Sequence, residues 1–418
     1  MISVPVEFVL FAFTLVGVAV FHRHTFAVAA SGLATIAAYK VAFSGFHHGS
    51  GWAGLILHLG HEWVVLANLF CLLMGFALLA RHFEDSRIPE MLPRFLPDGW
   101  PGGWVLLALI ALLSSFLDNI AAALIGGTIA ATVYRGRVHV GYLAAIVAAS
   151  NAGGAPSVVG DTTTTMMWIA GISPLAVLHA GVASVAALVV FGIPAAMVQQ
   201  RHQAIAADAP SGVRVDWVRG AVVLFILATA IAANVVVNVY FPEQADTFPF
   251  IGVSVWAALL LAAPWRQPAW SLLRESLVGS LFLLSLVLCA SFMPVEQLPA
   301  ASWRAALGLG FVSAVFDNIP LTALAIKQGG YDWGMLAYAV GFGGSMIWFG
   351  SSAGVALSSR FPEARSVYLW LRHGWFVAVA YVVGFMVLLS TLGWQPTPER
   401  QTAEPAAATA TQPVPTHP

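Results

Sequence analysis

Apolar residues run along the chain in long blocks that polar residues interrupt at short intervals, at about 5–21, 25–46, 63–80, 102–134, 138–172, 175–197, 218–241, 249–264, 275–294, 303–326, 334–358 and 366–393. Most blocks have the length of a helix that crosses a bilayer, about 20 residues. Two kinds depart from this. Gly102 to Tyr134 is too long for one crossing, yet Asp118-Asn119 divides it into halves of about 24 Å as helix, short of a hydrocarbon core of about 30 Å. A re-entrant helical hairpin fits, with Ala121, Ala122, Ala123, Gly126 and Gly127 letting its arms pack closely. The block at 138–172 holds SNAGGAPSVVGDTTTTMMWIAG, Ser150 to Gly171, where Gly153, Gly154 and Pro156 are expected to break the helix.

Both irregular patterns recur. SSFLDNIAAA at 114–123 returns as SAVFDNIPLT at 313–322, an offset of 199. NAGGAPSVVGDTT at 151–163 aligns with GFGGSMIWFGSSA at 341–353, an offset of 190, with Gly153, Gly154 and Gly160 over Gly343, Gly344 and Gly350. The predicted fold is an all-α polytopic membrane protein of two repeats. Each has five crossings plus one re-entrant hairpin, with broken helices, and the odd number of crossings inverts the second repeat. The predicted segments are scaffold helices at 1–80, a hairpin, broken helix and last helix at 101–199, a linker at 200–217, scaffold helices at 218–294, a second hairpin, broken helix and last helix at 303–394, and a disordered tail at 395–418.

Composition and charge sharpen this. Of 418 residues 59% are hydrophobic and 9% charged, against about a quarter charged in soluble domains. With the N- and C-termini outside, Arg23, Arg81, Arg87, Arg94, Arg135, Arg137, Arg201, Arg214, Arg219, Arg266, Arg274, Arg360, Arg365 and Arg372 share the cytoplasmic side. That is 14 of the 18 basic residues, as the positive-inside rule requires. A multi-pass protein of a bacterial inner (plasma) membrane is expected. Its partners would be lipid and small ions, with no nucleic acid, and its first helix would be retained because no basic region or cleavage site flanks it. Cys71 and Cys289 lie within apolar segments and read as buried thiols.

The candidate chemistry lies where the helices break. Asp118, Asp161 and Asp317 are acidic residues deep within apolar segments, each costing about 2.5–3.5 kcal/mol even on the gentler insertion scale. Unwound carbonyls with Asn151, Asp161 and the Thr162–Thr165 hydroxyls offer hard oxygen ligands to a small cation. The expected sodium and substrate site comprises Asp118, Asn119, Ser150, Asn151, Asp161, Thr162, Thr163, Asp317, Asn318, Ser345, Ser351 and Ser352, framed by Gly153, Gly154, Pro156, Gly343 and Gly344. Ser351 stands opposite Asp161, so the half-sites are unequal. No cofactor is called for beyond transported sodium and protons. His58, His61 and Glu62, with His47-His48 nearby, read as a wet interfacial loop in preference to a metal site. Lys40 and His179 fall within apolar runs, where either is expected to pair with an aspartate or shuttle protons, or else to snorkel or make a polar contact. An intramembrane aspartyl protease fails on its Gly-x-Gly-Asp signature, because Val158 stands where the first glycine belongs.

FLDNI, NAGGAPSVVGDTTTTMMWI, VFDNIP and GFGGSMIWFGSSAGVA resemble the NhaD-type sodium/proton antiporters, within a wider ion transporter superfamily that includes citrate, divalent-anion and arsenite carriers. The resemblance implies a transporter and no enzyme: a homodimer whose hairpins and broken helices move, elevator-like, against a scaffold. The competing expectation is ion-coupled carriage of citrate, another dicarboxylate or arsenite. Asp118-Asn119-Ile120 and Asp317-Asn318-Ile319 stand where the dicarboxylate branch has Ser-Asn-Thr, and fixed carboxylates attract a cation and repel an anion.

Overall fold

A computed structural model describes residues 5–21, 24–46, 49–88, 91, 96–206, 214–241, 244 and 247–397. Arg23, Arg94, His47, His48, linker residues 207–213 and tail residues 398–418 lie outside them. The described chain is helical, with no strand beyond an isolated Phe46–Gly49 bridge. Six of its helices are long and apolar enough to cross a membrane. The chain is a multi-pass membrane protein.

The first half begins with α1 (Val6–Val20), α2 (Thr25–Tyr39) and α3 (Gly51–Asp85). A π-helical turn, Lys40–Ser44, continues α2. Next come α4 (Trp100–Ser114), α5 (Asn119–Val133), α6 (Val140–Gly154), α7 (Thr162–Ile169), α8 (Pro174–Leu178) and α9 (Ala180–His202). The second half has α10 (Trp217–Tyr240), α11 (Phe250–Ala262), α12 (Leu272–Ser291), α13 (Trp303–Ser313), α14 (Asn318–Gln328), α15 (Trp333–Gly343), α16 (Ser352–Arg360) and α17 (Val367–Leu392). α3 begins 12 residues before the apolar block at 63–80, so His58, His61 and Glu62 are helical and form no loop.

Side-chain hydrogen bonds fix which helix ends meet. Tyr142 at the start of α6 donates to the Gly103 carbonyl near the start of α4 at 2.6 Å, and its ring packs edge-on against Tyr134 at the end of α5. The Ala206 amide, past α9, donates to the Val133 carbonyl at 2.8 Å. The start of α4 and the end of α5 therefore lie together. His139 also meets His202 of α9 and His373 of α17 there, at ring distances of 5.3 and 4.8 Å. At the other end of α17, Trp394 packs on Tyr331 between α14 and α15, and the Thr397 amide donates to the Tyr331 carbonyl.

α1, α2 and α12 pack together, as do α3, α10 and α11, while α9 lies along α17. α12 runs against α14, and α3 meets α7. Asp216 caps α10 through the Val218 and Arg219 amides and takes Arg266 at 2.6 Å. The Arg266 guanidinium holds its carboxyl below the usual carboxylate range.

Candidate functional site

Two breaks of the same form face each other in the interior. α6 stops after Gly154 and resumes as α7 at Thr162, and α15 stops after Gly343 and resumes as α16 at Ser352. Gly153 and Gly154 remain helical, so Pro156 and the residues after it carry the first break. Close approach is what requires Gly153 and Gly343. A Cβ at Gly153 would lie 1.9 Å from the Ala111 carbonyl oxygen of α4, and one at Gly343 2.3 Å from the Gly310 carbonyl oxygen of α13. Each broken helix is thus seated backbone-on-backbone against the first arm of its own hairpin. Of the glycines expected to join the hairpin arms, Gly126 faces Ile110 of α4, but Gly127 faces Leu357 of α16.

The aspartates occupy the restart points. Asp118 is the N-cap of α5, Asp161 of α7 and Asp317 of α14. Asp161 accepts from the Thr163 amide at 3.2 Å and Asp317 from the Ile319 amide at 3.1 Å. Such caps satisfy amides that a helix start leaves unpaired. Asp118 makes no side-chain capping bond. Ser351 caps α16 through the Gly354 amide at 3.3 Å, in the position that Asp161 holds in the first half. Ser352 donates to Asp317 at 3.1 Å.

Asn151 joins the halves. Its Nδ2 donates to Ser345 at 2.9 Å and to Ser351 at 3.1 Å, and its Oδ1 accepts from Asn119 at 3.0 Å. All four residues are buried. Ser150 turns back to the Val147 carbonyl of its own helix at 2.9 Å. Thr164 donates to the Ser157 and Asp161 carbonyls, and Thr165 to those of Val158 and Asp161. These hydroxyls saturate part of the unwound backbone, which sequence reasoning treats as free ligand. Ser115 and Ser157 complete the seat, donating to the Gly153 and Ser115 carbonyls at 2.9 and 2.6 Å.

A cavity of about 210 Å³ opens beside these residues. Asp118, Asn119, Asp161, Thr162, Asn318 and Ser352 line it. Ser150, Asn151, Thr163, Asp317, Ser345 and Ser351 are not part of that lining. Asp161 Oδ2 is buried without a hydrogen-bond partner among the described residues, 3.2 Å from where a Cβ on Gly341 would stand. The opposite wall comes from α3 and α12, including Leu69, Phe76, Ser276, Gly279 and Ser280. Sequence reasoning missed this wall, although small residues at 276, 279 and 280 on one face of an apolar helix are a legible signal. No basic side chain among the described residues lines the cavity. Among the described residues, no three His, Cys, Asp or Glu side chains converge on one metal-sized point.

Lys40, His58 and His61 lie elsewhere. Lys40 is buried and donates to the Phe292 carbonyl at 3.0 Å. His58 Nε2 shares a 2.9 Å hydrogen bond with Ser291.

No protein-family model matches the chain. Curated relatives do. Sodium/proton antiporter 1 of Arabidopsis thaliana is 27% identical over 318 residues, covering 66% of this chain and 53% of that protein. Na(+)/H(+) antiporter NhaD of Alkalimonas amylolytica is 26% identical over 346 residues, covering 68% of this chain and 67% of that one. NhaD of Halomonas elongata is 33% identical over 151 residues, 34% of this chain and 28% of that one. The match spans about half the length of the first Arabidopsis protein. The chain is similar to NhaD-type sodium/proton antiporters well beyond its motifs.

Proposed function

We propose that this chain is a secondary transporter that exchanges sodium, or another monovalent cation, for protons by elevator-like alternating access. The observation that carries this reading is the cavity edged by Asp118 and Asp161, with Asp317 bonded to the lining Ser352 and no basic residue in the lining among the described residues. A buried carboxylate holds a proton or sits beside a cation, so each ligand displaces the other and one pathway serves exchange. A dicarboxylate or arsenite carrier would have to bring its substrate against two aspartates. The names of the relatives lend the same support, since each is called a sodium/proton antiporter.

The contacts also support two inverted repeats. The base of the α4–α5 hairpin lies at the His373 end of α17 and the base of the α13–α14 hairpin at the Trp394 end. In this reading α1–α3 and α10–α12 are the scaffold, and the hairpins, broken helices, α9 and α17 are the moving part. The Arg-rich ends face the cytoplasm. Asn119, Asn151, Ser345 and Ser351 hold the half-sites in register, while Asp118, Asp161, Thr162, Asn318 and Ser352 face the ion.

The test is sodium-induced proton movement in everted vesicles, read as dye dequenching on sodium addition, with citrate and arsenite uptake as parallel arms. Dequenching by sodium that Asp161→Asn abolishes is expected. Uptake of citrate or arsenite with no response to sodium would overturn the proposal.

A further inference from the structure

Sixteen of the 18 basic residues are arginines; of the two lysines, Lys40 lies within an apolar segment and Lys327 just past the end of one. They meet at one helix end. α12 finishes at Ser291, where the carbonyls of a last turn have no partner within the helix and carry the negative end of its dipole. Lys40, turned inward by the π-helical turn after α2, donates to the Phe292 carbonyl at 3.0 Å. Lys327, one residue from the end of α14, donates to the Ser291 carbonyl at 2.7 Å and to that of Met293. His58 of α3 bonds the Ser291 hydroxyl, and the Phe46, His58 and Phe292 rings pack around the site. Glu62 of α3, one turn on, has its Oε1 3.9 Å from His58 Nε2.

The cavity lies on the other side of this cluster. Its lining runs along α3 from Leu69 to Ala80 and along α12 from Leu283 to Ser276, toward the ends that bear Arg81 and Arg274. Beyond Leu69 an apolar seal of Leu69, Met166, Val287 and Ile319 joins α3, α7, α12 and α14. Ser291 stands about 12 Å further along α12 than Leu283. The lysine pair therefore sits on the closed side, outside the seal.

We propose that Lys327 is a latch that holds this inward-open arrangement and must let go before the site can face outward. The proposal rests on the elevator reading. In that reading Lys40, His58, Glu62 and α12 all belong to the scaffold, so of the two lysines only Lys327 reaches across the sliding seam. An ammonium suits the task. It carries three donors on a flexible stem and is strongly hydrated when released, and its attraction to a helix terminus fades within about one turn, 5.4 Å. The contact is firm when docked and gone after a short travel.

The experiment uses the full chain with Cys71→Ser and Cys289→Ala, and one reporter, Ile120→Cys, which lines the cavity. A membrane-impermeant maleimide is applied from each side, in right-side-out and everted vesicles. With Lys327 intact, labelling is expected mainly from the cytoplasmic side. Lys327→Met should lower the inside-to-outside labelling ratio at least threefold, and Lys327→Gln should lower it less. Lys327→Arg, which keeps the charge and the donors, should restore it, and Lys40→Met, which removes a contact inside the scaffold, should leave it unchanged. An unmoved ratio in both Lys327→Met and Lys327→Gln would overturn the latch, as would an equal shift in Lys40→Met. Sodium-dependent proton movement is measured in parallel vesicles of the chain that keeps Ile120, with Lys327 intact or substituted. If the Lys327 intact protein shows none but the ratio shifts as expected, the cation reading falls and the latch stands. If exchange is intact and the ratio does not respond, the latch alone falls.

Discussion

Asn151 and Ser345, 194 residues apart in sequence, are 2.9 Å apart through Nδ2 and Oγ, and that bond ties one broken helix to the other at their breaks. With the bonds to Ser351 and Asn119 it uses both donors and one acceptor position of the Asn151 amide. Ser345→Ala removes one bond of the clasp, and a cost of about 0.5–1.5 kcal/mol is expected. Ser351→Ala also uncaps α16 and should cost about 1 kcal/mol more. Thermal unfolding of the purified protein should rank them in that order. Apparent sodium affinity should move less than twofold in Ser345→Ala; a tenfold loss would make that hydroxyl an ion ligand.

At the three aspartates, charge and helix capping can be separated by the choice of substitution. Asn keeps an acceptor for the Thr163 or Ile319 amide but neither ionises nor takes up a proton. Asp161→Asn and Asp317→Asn should therefore stay within about 1 kcal/mol of the parent in stability. Ala at either position should lose about 1 kcal/mol for the missing cap. Exchange should vanish in Asp161→Asn and fall in Asp317→Asn and Asp118→Asn, as sodium dose-response curves at several pH values would report. Undiminished exchange in Asp161→Asn would move the proton to Asp118, whose carboxylate makes no capping bond.

Gly153→Ala and Gly343→Ala each drive a methyl group into a backbone carbonyl that has no room to yield. Both should destabilise by about 1–3 kcal/mol or more. Gly308→Ala is the control, since a Cβ there meets nothing within 4 Å. It should be neutral or stabilising by up to about 1 kcal/mol. Fluorescence-detected size exclusion after heating would rank the three.

His139 caps α6 as an acceptor, taking the Gly141 amide on Nδ1 at 3.1 Å, a role only the neutral ring can fill. Burial, then the neighbouring His373 and His202, push its pKa down to about 4. An unfolded histidine takes its proton near pH 6.5. Between about 6.5 and 4 the unfolded state thus binds the extra proton, and the native state loses stability as pH falls; above 6.5 the group contributes no pH dependence. His139→Asn keeps an acceptor and removes the titration, so its midpoint temperature should drop less between pH 7 and pH 5. An equal drop in both proteins would assign the acid sensitivity elsewhere.

The helices were legible because apolar block length and the paired Asp-Asn-Ile motifs are local features of the chain. α4 and α5 divide at Asp118-Asn119, where the sequence places a polar break between two short apolar halves. The start of α3 was not legible, because Gly60, His61 and Glu62 look like a turn until packing against α12 gives His58 a partner in Ser291. Asp118, Asp161 and Asp317 stand out because a charge inside an apolar block is costly to bury, whereas the capping roles of Asp161 and Asp317 show only in the structure. What Asn151 and Thr165 bond to does not show, since both partners depend on how the two halves meet and on where the unwound carbonyls turn. Ser276 and Ser280 are hidden for the same reason: only the facing hairpin tips make that side of α12 a wall.

The seal at Leu69, Met166, Val287 and Ile319 also has an electrical meaning. In the proposed inward-open arrangement, a cavity filled with electrolyte would carry the potential of the cytoplasm down to its floor, so the membrane voltage would fall mainly across the protein between that floor and the lysine pair, about 12 Å along α12. Over so short a layer a voltage of 100 mV makes a field more than twice that across a uniform core of about 30 Å. Each unit of charge carried across it exchanges about 2.3 kcal/mol with the field. An exchange that moves unequal numbers of sodium ions and protons would therefore take its voltage dependence almost wholly from the step in which this seal changes sides.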